Sequence, residues 1–441
     1  MTSSSMSSDE GLALTADHAV RSKVAAVSEG YWHDDFVGCF SLGRLDGNPS
    51  PLINRGQYAR VAAISSAVEQ FMRACAAAGK LNHAQIVSLG AGLDTTFWQL
   101  DVARAKPRLY VELDQEMVVS RKCALIKSKP ALLRALQPEG AQCVGLSGIT
   151  AGEHGYRLLA ADINNIPQVE GALAAAGFQP QDPTLLIAEC VLVYLRPEAS
   201  AALLSWFGQR CPSAVMVAFE MCGPDDPFGR TMLDNLRRRG CPLLGLRSVP
   251  DVRAQERRCL ECGWGRSQAM TMLAFFERVV GEAERARVCR IGLLDELEEW
   301  RLLLSHYCIV LAVSDRASPP ALFSQVDLTV PATEQPLARL PSRPGASTVD
   351  IGVGGSRDSV PSFIESSFTT KVEYERALAA GMTKLAVLGG GGSEVGGNGV
   401  TSAASTASPA HEGKWKPPLM TGVFHECDED AVWSDEEACE D

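Results

Sequence analysis

The segment Ile86-Val87-Ser88-Leu89-Gly90-Ala91-Gly92-Leu93-Asp94-Thr95-Thr96 limits the possible folds of this chain more than any other. Its apolar run stops at two glycines spaced Gly-x-Gly, and a helix-compatible stretch, Thr96 to Val102, follows. A strand that turns this sharply into a helix needs glycine, because a side chain would keep the backbone from approaching a ligand. About twenty residues later a second apolar run, Leu109-Tyr110-Val111-Glu112-Leu113-Asp114, ends in acid. In nucleoside-binding sheets an acid at the end of the second strand grips ribose hydroxyls. Together the two features predict a nucleoside cofactor, and alone they suit a nicotinamide nucleotide equally well.

After Leu81 short apolar runs alternate with helical stretches. The runs are Gln85–Leu89, Leu109–Leu113, Tyr156–Ala160, Leu185–Ala188 and Ala214–Phe219; the helical stretches include Glu116–Lys127, Val169–Ala176 and Glu198–Gln209. This alternation predicts an α/β fold with a mostly parallel sheet covered on both faces. A last strand, Tyr307–Val313, follows the amphipathic helix Leu294–Ser305. Residues 1–15 read as a disordered N-terminus and 16–80 as a helical lid beside the sheet. Residues 225–290, charged and mostly helical in pattern, read as an inserted substrate-binding subdomain.

Beyond Asp315 Pro, Ser and Gly dominate, and residues 426–441 hold nine acids and no Lys or Arg. Residues 316–441 therefore read as a low-complexity, acidic, disordered tail, with one isolated helix possible over Phe368–Leu388. The tail carries most of the chain's net charge of −12: nine Lys and Arg against eighteen Asp and Glu, compared with 32 against 35 before it. The nearly neutral body lacks the basic bias of a nucleic-acid binder. No apolar run is long enough to cross a bilayer, and the Ser-rich start has no signal-peptide core. The fourteen cysteines, scattered through apolar and helical runs, read as reduced thiols of a cytoplasmic protein. Cys259-x-x-Cys262 lacks a second pair at zinc spacing, so no metal is expected.

Four strand ends carry residues facing the expected ligand crevice: Gly90 with Gly92, Asp114, Asp162 and Glu189. A single acid there is often a turn or helix cap. Acids ending three successive strands beside a glycine turn suit a cofactor with ribose hydroxyls, an exocyclic amine and an ammonium group.

At this point the residues resemble the leucine carboxyl methyltransferases. The matching motifs are Gly30–Asp34, Ile53–Arg60, Leu89–Trp98, Leu185–Tyr194, Asn235–Arg239 and His306–Cys308, spread over about residues 20–315. The resemblance implies a class I methyltransferase domain, residues 16–315, with a Rossmann-like, mostly parallel seven-stranded sheet. It also implies S-adenosyl-L-methionine as cofactor and the C-terminal leucine carboxylate of the protein phosphatase 2A catalytic subunit as acceptor. By position, Lys23 and Arg60 would meet the methionine carboxylate of the cofactor, and Gly90 would allow backbone approach. Asp114 would bind the ribose, Asp162 with Ile163 the adenine, and Glu189 the amino group and sulfonium region.

An α-carboxylate is already ionised at neutral pH, so the reaction needs no catalytic base; Tyr194 and Arg237 are candidates for positioning the acceptor. His33 and His306 are expected to serve structure, and Cys190 is not expected to act as a nucleophile. A monomer is expected, with no nucleic-acid or membrane partner. Two other readings stay open: an O-methyltransferase for a small molecule or modified tRNA base, and a phosphatase-binding module without turnover.

Overall fold

Buried apolar runs separated by helices can pair as parallel neighbours only through crossovers, and the described chain does this four times over. The computed structural model describes residues 8–41, 50–102, 106–136, 148–150, 155–316 and 322–331. Within these residues the strands are β1 (Gln85–Leu89), β2 (Leu109–Asp114), β3 (Gly148–Thr150), β4 (Gly155–Ala160), β5 (Thr184–Glu189), β6 (Ser213–Met221), β7 (Arg266–Thr271) and β8 (Tyr307–Asp315). They form one sheet in the order β3-β4-β2-β1-β5-β6-β8-β7. β4, β2, β1, β5 and β6 run parallel, β8 is antiparallel to β6, and β7 is antiparallel to β8. The expected seven strands are therefore present, and the short β3 adds an eighth, antiparallel at the β4 edge.

The order reverses at β1, whose chain leaves first toward β2 and later returns at β5. In open α/β sheets such a switch point opens a crevice beyond the carboxyl ends of the strands. Every residue of β1 is buried, as is every residue of β6. That burial on both faces is why these strands read as unbroken apolar runs rather than alternating ones.

Among the described residues three α-helices precede the sheet: α1 (Ser8–Ser28), α2 (Val37–Phe40) and α3 (Pro51–Ala77). The crossovers contain α4 (Thr96–Val102), α5 (Glu116–Ser128), α6 (Pro130–Leu136), α7 (Ile166–Ala175) and α8 (Pro197–Arg210). Between β6 and β8 lie α9 (Pro227–Arg238), α10 (Val252–Glu261), α11 (Met272–Arg278), α12 (Glu282–Ile291) and α13 (Leu297–Ser305). α3 is buried along most of its length and packs on α1, β5 and β6, so the segment before the sheet reaches its ligand end.

A buried ion pair ties two crossovers together. Lys122 of α5 and Glu112 of β2 are fully buried, 2.6 Å apart. Tyr156 donates to Glu112 at 2.6 Å, and Lys122 donates to the Asp94 carbonyl at 2.8 Å. Lys122 also lies over the Phe40 and Trp98 rings. The β1–α4 turn is thus fastened to α5 from below.

Four expectations need correction. α1 begins at Ser8, so residues 8–15 are helical rather than disordered; residues 1–7 lie outside the described region. The 225–290 stretch contains β7, hidden because Arg-Ser-Gln-Ala-Met-Thr is half-buried at every position and shows no apolar alternation. The tail does not start at 316. Residues 322–331 pack on the body, with Phe323, Val326 and Leu328 buried and Phe323 stacked on Phe71 at 5.3 Å. His33, expected to serve structure, is exposed with its ring 3.1 Å from Asp35. The helix suggested over Phe368–Leu388 and the acidic residues 426–441 lie outside the described residues.

The eleven described cysteines are all free thiols, Cys259 and Cys262 among them, and no cluster among the described residues could hold a metal ion. No described helix is long and apolar enough to cross a membrane.

Candidate active site

The turn after β1 is held open by backbone conformation. Gly90 and Gly92 adopt φ of 55° and 53°, a region that costs other residues about 1–2 kcal/mol. A Cβ on Gly90 would come within 2.7 Å of a Val191 methyl, so the position has no room for a side chain. Asp114, at the end of β2, closes the turn from the other side. Its Oδ2 accepts from the Gly92 N–H and its Oδ1 from the Gln115 N–H, both at 2.7 Å. Burial raises its pKa and these two donors oppose the rise.

Glu189, at the end of β5, lies between two cations. Arg60 of α3 donates to it through Nε, and Lys23 of α1 lies 3.0 Å away. Burial alone would raise the carboxyl pKa, but Arg60 and Lys23 overcome that and hold it down at about 2. Lys23 also lies 3.5 Å from Asp94, which accepts from the Thr96 N–H at the start of α4. Burial lowers the Lys23 pKa, but Glu189 and Asp94 more than compensate, and the net direction is up. The four groups form a fixed, charged cluster at the carboxyl ends of β1 and β5.

Next to it, Cys190 has φ of 56° and is the one non-glycine residue with positive φ among the described residues. Its N–H donates to the Phe219 carbonyl at 2.7 Å. Backbone strain of this kind persists where surrounding contacts fix it. Burial pushes the Cys190 thiol up to about 12, so it stays protonated and non-nucleophilic at neutral pH.

All seven residues expected to hold the cofactor, Lys23, Arg60, Gly90, Asp114, Asp162, Ile163 and Glu189, line one cavity of about 710 Å³. Tyr194 lines it as well, with its hydroxyl oxygen buried and without a hydrogen-bond partner among the described residues. Asp162 has two duties: its Oδ1 accepts from the backbone and side-chain N–H groups of Asn164, as in an ordinary turn, while the residue borders the cavity. Arg237 does not reach it. That side chain is exposed on α9, 3.7 Å from Asp234, a solvated helix face. His306 is buried against Asp226, 2.9 Å from its carboxylate, and accordingly serves the fold.

Two residues of the site went unrecognised in the sequence. Asp94 is part of the Leu89–Trp98 motif but was not assigned a contact. Glu220, near the end of β6, accepts from the N–H groups of Val191, Leu192 and Val193 at 3.3, 2.8 and 3.2 Å. It braces the cavity wall that carries Tyr194. A fourth acid ending a buried strand was the available signal for it.

The cofactor-side donor set suits a nucleoside with an amino-acid arm. A glycine turn beside a half-buried carboxylate can hold ribose hydroxyls, and a cluster of two cations and two carboxylates can meet a zwitterion. Sheet order, switch-point cavity and donor set together define a class I methyltransferase. A profile of the leucine carboxyl methyltransferase family matches residues 12–208. A leucine carboxyl methyltransferase 1 homolog of Arabidopsis thaliana is 38% identical over 311 residues, 70% of this chain and 91% of that protein. The Bos taurus leucine carboxyl methyltransferase 1 is 38% identical over 306 residues, covering 69% and 90%. The Homo sapiens tRNA wybutosine-synthesizing protein 4 is also 38% identical, over 301 residues, covering 68% of this chain but 43% of that protein. The chain belongs to the leucine carboxyl methyltransferase family, and its cofactor is S-adenosyl-L-methionine.

Proposed function

We propose that the protein methylates the C-terminal leucine α-carboxylate of the protein phosphatase 2A catalytic subunit, forming a methyl ester. The observation that carries this reading is that one cavity gathers the seven assigned cofactor residues in a chain matching some nine-tenths of two leucine carboxyl methyltransferases.

Lys23 and Arg60 would hold the methionine carboxylate, with Glu189 between them to meet the amino group. Asp114 would take the ribose hydroxyls, and Asp162 and Ile163 the adenine. The bound cofactor supplies an activated methyl on a sulfonium and a neutral leaving group. An α-carboxylate has a pKa of about 3.5, so the acceptor arrives ionised and no residue has to remove a proton. The remaining work is alignment and partial desolvation of the carboxylate, which a walled cavity provides.

Incubation with tritiated S-adenosylmethionine and the phosphatase subunit tests the proposal. Base-labile label is expected on the intact subunit and none after its terminal leucine is removed; label that survives the truncation defeats the assignment. The equal identity to a tRNA wybutosine-synthesizing protein favours a modified tRNA base as the second reading. The same assay with tRNA as acceptor separates the two.

A further inference from the structure

Three cations line the cavity among the described residues: Lys23, Arg60 and Arg196. The first two are committed to Glu189. Arg196 is different. It is exposed at the cavity's mouth, and its guanidinium forms no hydrogen bond or ion pair with any described residue. Two residues earlier Tyr194 lines the same cavity, and its hydroxyl is buried with no hydrogen-bond partner among the described residues.

The backbone between them is fixed. Leu195 and Arg196 are both extended, and Pro197 opens α8 with its φ set by the ring. Below, Gly245 donates to the Val193 carbonyl at 2.9 Å, so close that a Cβ there would meet the Leu195 and Leu192 carbonyls at 3.0 and 3.1 Å. Its neighbour Leu244 is half exposed and lines the mouth. A phenolic donor, an uncommitted guanidinium and an exposed apolar side chain thus share one rigid wall. That combination matches a carboxylate attached to an apolar side chain.

We propose that Tyr194 and Arg196 form the subsite for the acceptor carboxylate, and that Arg196 distinguishes substrate from product by charge. This rests on the carboxylate acceptor proposed above. In the transfer one carboxylate oxygen forms a bond to the methyl carbon as the carbon–sulfur bond breaks, and that bond's electron pair passes to sulfur. No proton is released, and the acceptor's terminus goes from one negative charge to none. Arg196 therefore has a partner before the reaction and none after it. A charge-assisted hydrogen bond contributes about tenfold or more in affinity, so losing it favours release of the ester. Because Arg196 is exposed, salt weakens the effect.

The test uses the full-length protein saturated with S-adenosylhomocysteine. It compares the Kd of the unmethylated phosphatase catalytic subunit with that of its methyl ester. The wild type is expected to favour the unmethylated form at least tenfold at low salt. Arg196→Gln should shrink that preference below threefold, Arg196→Lys should retain part of it, and neither should change the affinity for S-adenosylhomocysteine. A preference that survives in Arg196→Gln overturns this proposal alone, as does a loss of cofactor affinity, which would assign Arg196 to the cofactor. Absence of wild-type binding to either form would overturn it together with the acceptor assignment.

Discussion

Glu189 shows how single residues set the chemistry of this site, because its charge is decided by neighbours rather than by burial. Its folded pKa of about 2 lies below the ordinary glutamate value, so its stabilising contribution is present above the unfolded pKa and lost as pH falls through the folded one. In acid titrations the wild type should lose on the order of 3 kcal/mol between about pH 4.5 and 2 that Glu189→Gln does not lose. Unfolding free energies across that window check this; parallel curves would refute the ion cluster. Asp114→Ala should weaken S-adenosylmethionine binding about 100-fold, since hydrogen bonds to a charged group contribute on the order of 1.5–3 kcal/mol each. Calorimetry showing unchanged affinity would remove Asp114 from the cofactor site. At this scale the placement of Asp114, Asp162 and Glu189 around one cavity was legible in the sequence, since each closes or follows a buried run at the same end of the sheet. Arg237 was misread because a run of three arginines does not reveal which side of a helix each occupies, and α9 turns Arg237 to solvent.

Elements matter here through the joints between them. The β1–α4 turn and the wall after β5 touch at Gly90 and Val191, so a side chain at one displaces the other. Gly90→Ala should lower cofactor affinity by about tenfold or more, and adding Val191→Ala should restore part of it. The restoration stays partial because the φ cost of about 1–2 kcal/mol remains; titration of both variants with S-adenosylhomocysteine measures it. The same wall rests on Glu220, whose pKa burial pushes up to about 7 against the pull of Arg258 and three backbone N–H groups. A folded pKa above the unfolded one means stability fully present below about pH 4.3 and lost as pH rises through 7. Urea unfolding should find the wild type less stable at pH 8 than at pH 5. Glu220→Gln should narrow that gap by on the order of 3 kcal/mol, leaving the part due to Glu112, which titrates in the same range. An unchanged gap would show that Glu220 does not pay an ionisation cost. The five central strands could be read from sequence because burial on both faces leaves continuous apolar runs. β7 could not, because at the sheet's edge its half-buried side chains include Arg266 and Gln268, which reach across to residues distant in sequence.

Those two side chains carry the described body past the end of β8. Arg266 donates to the Phe323 and Val326 carbonyls at 2.6 and 2.7 Å, and Gln268 donates to the Asp327 carboxylate at 2.7 Å. From α3, Gln70 pairs with the Asp327 backbone in both directions, at 3.0 and 2.9 Å. Phe323, Val326 and Leu328 fill the space between, with Phe323 on Phe71. Composition placed these residues in the tail, since a ten-residue segment with three apolar anchors is too short to stand out beside Pro- and Ser-rich sequence. Full burial of such side chains contributes about 1.5–3 kcal/mol each, reduced by the entropy of ordering the segment. A chain cut after Asp315 should therefore melt about 5–10 °C below the full-length protein, at about 2–4 °C per kcal/mol for a domain of this size. A chain cut after residue 331 keeps every one of these contacts and should melt within about 2 °C of full length. α3 carries Arg60 ten residues before Gln70, so the shorter chain should also bind S-adenosylhomocysteine more weakly, and the longer one should not. Equal melting temperatures for the two truncations would show that residues 322–331 add nothing to the folded body.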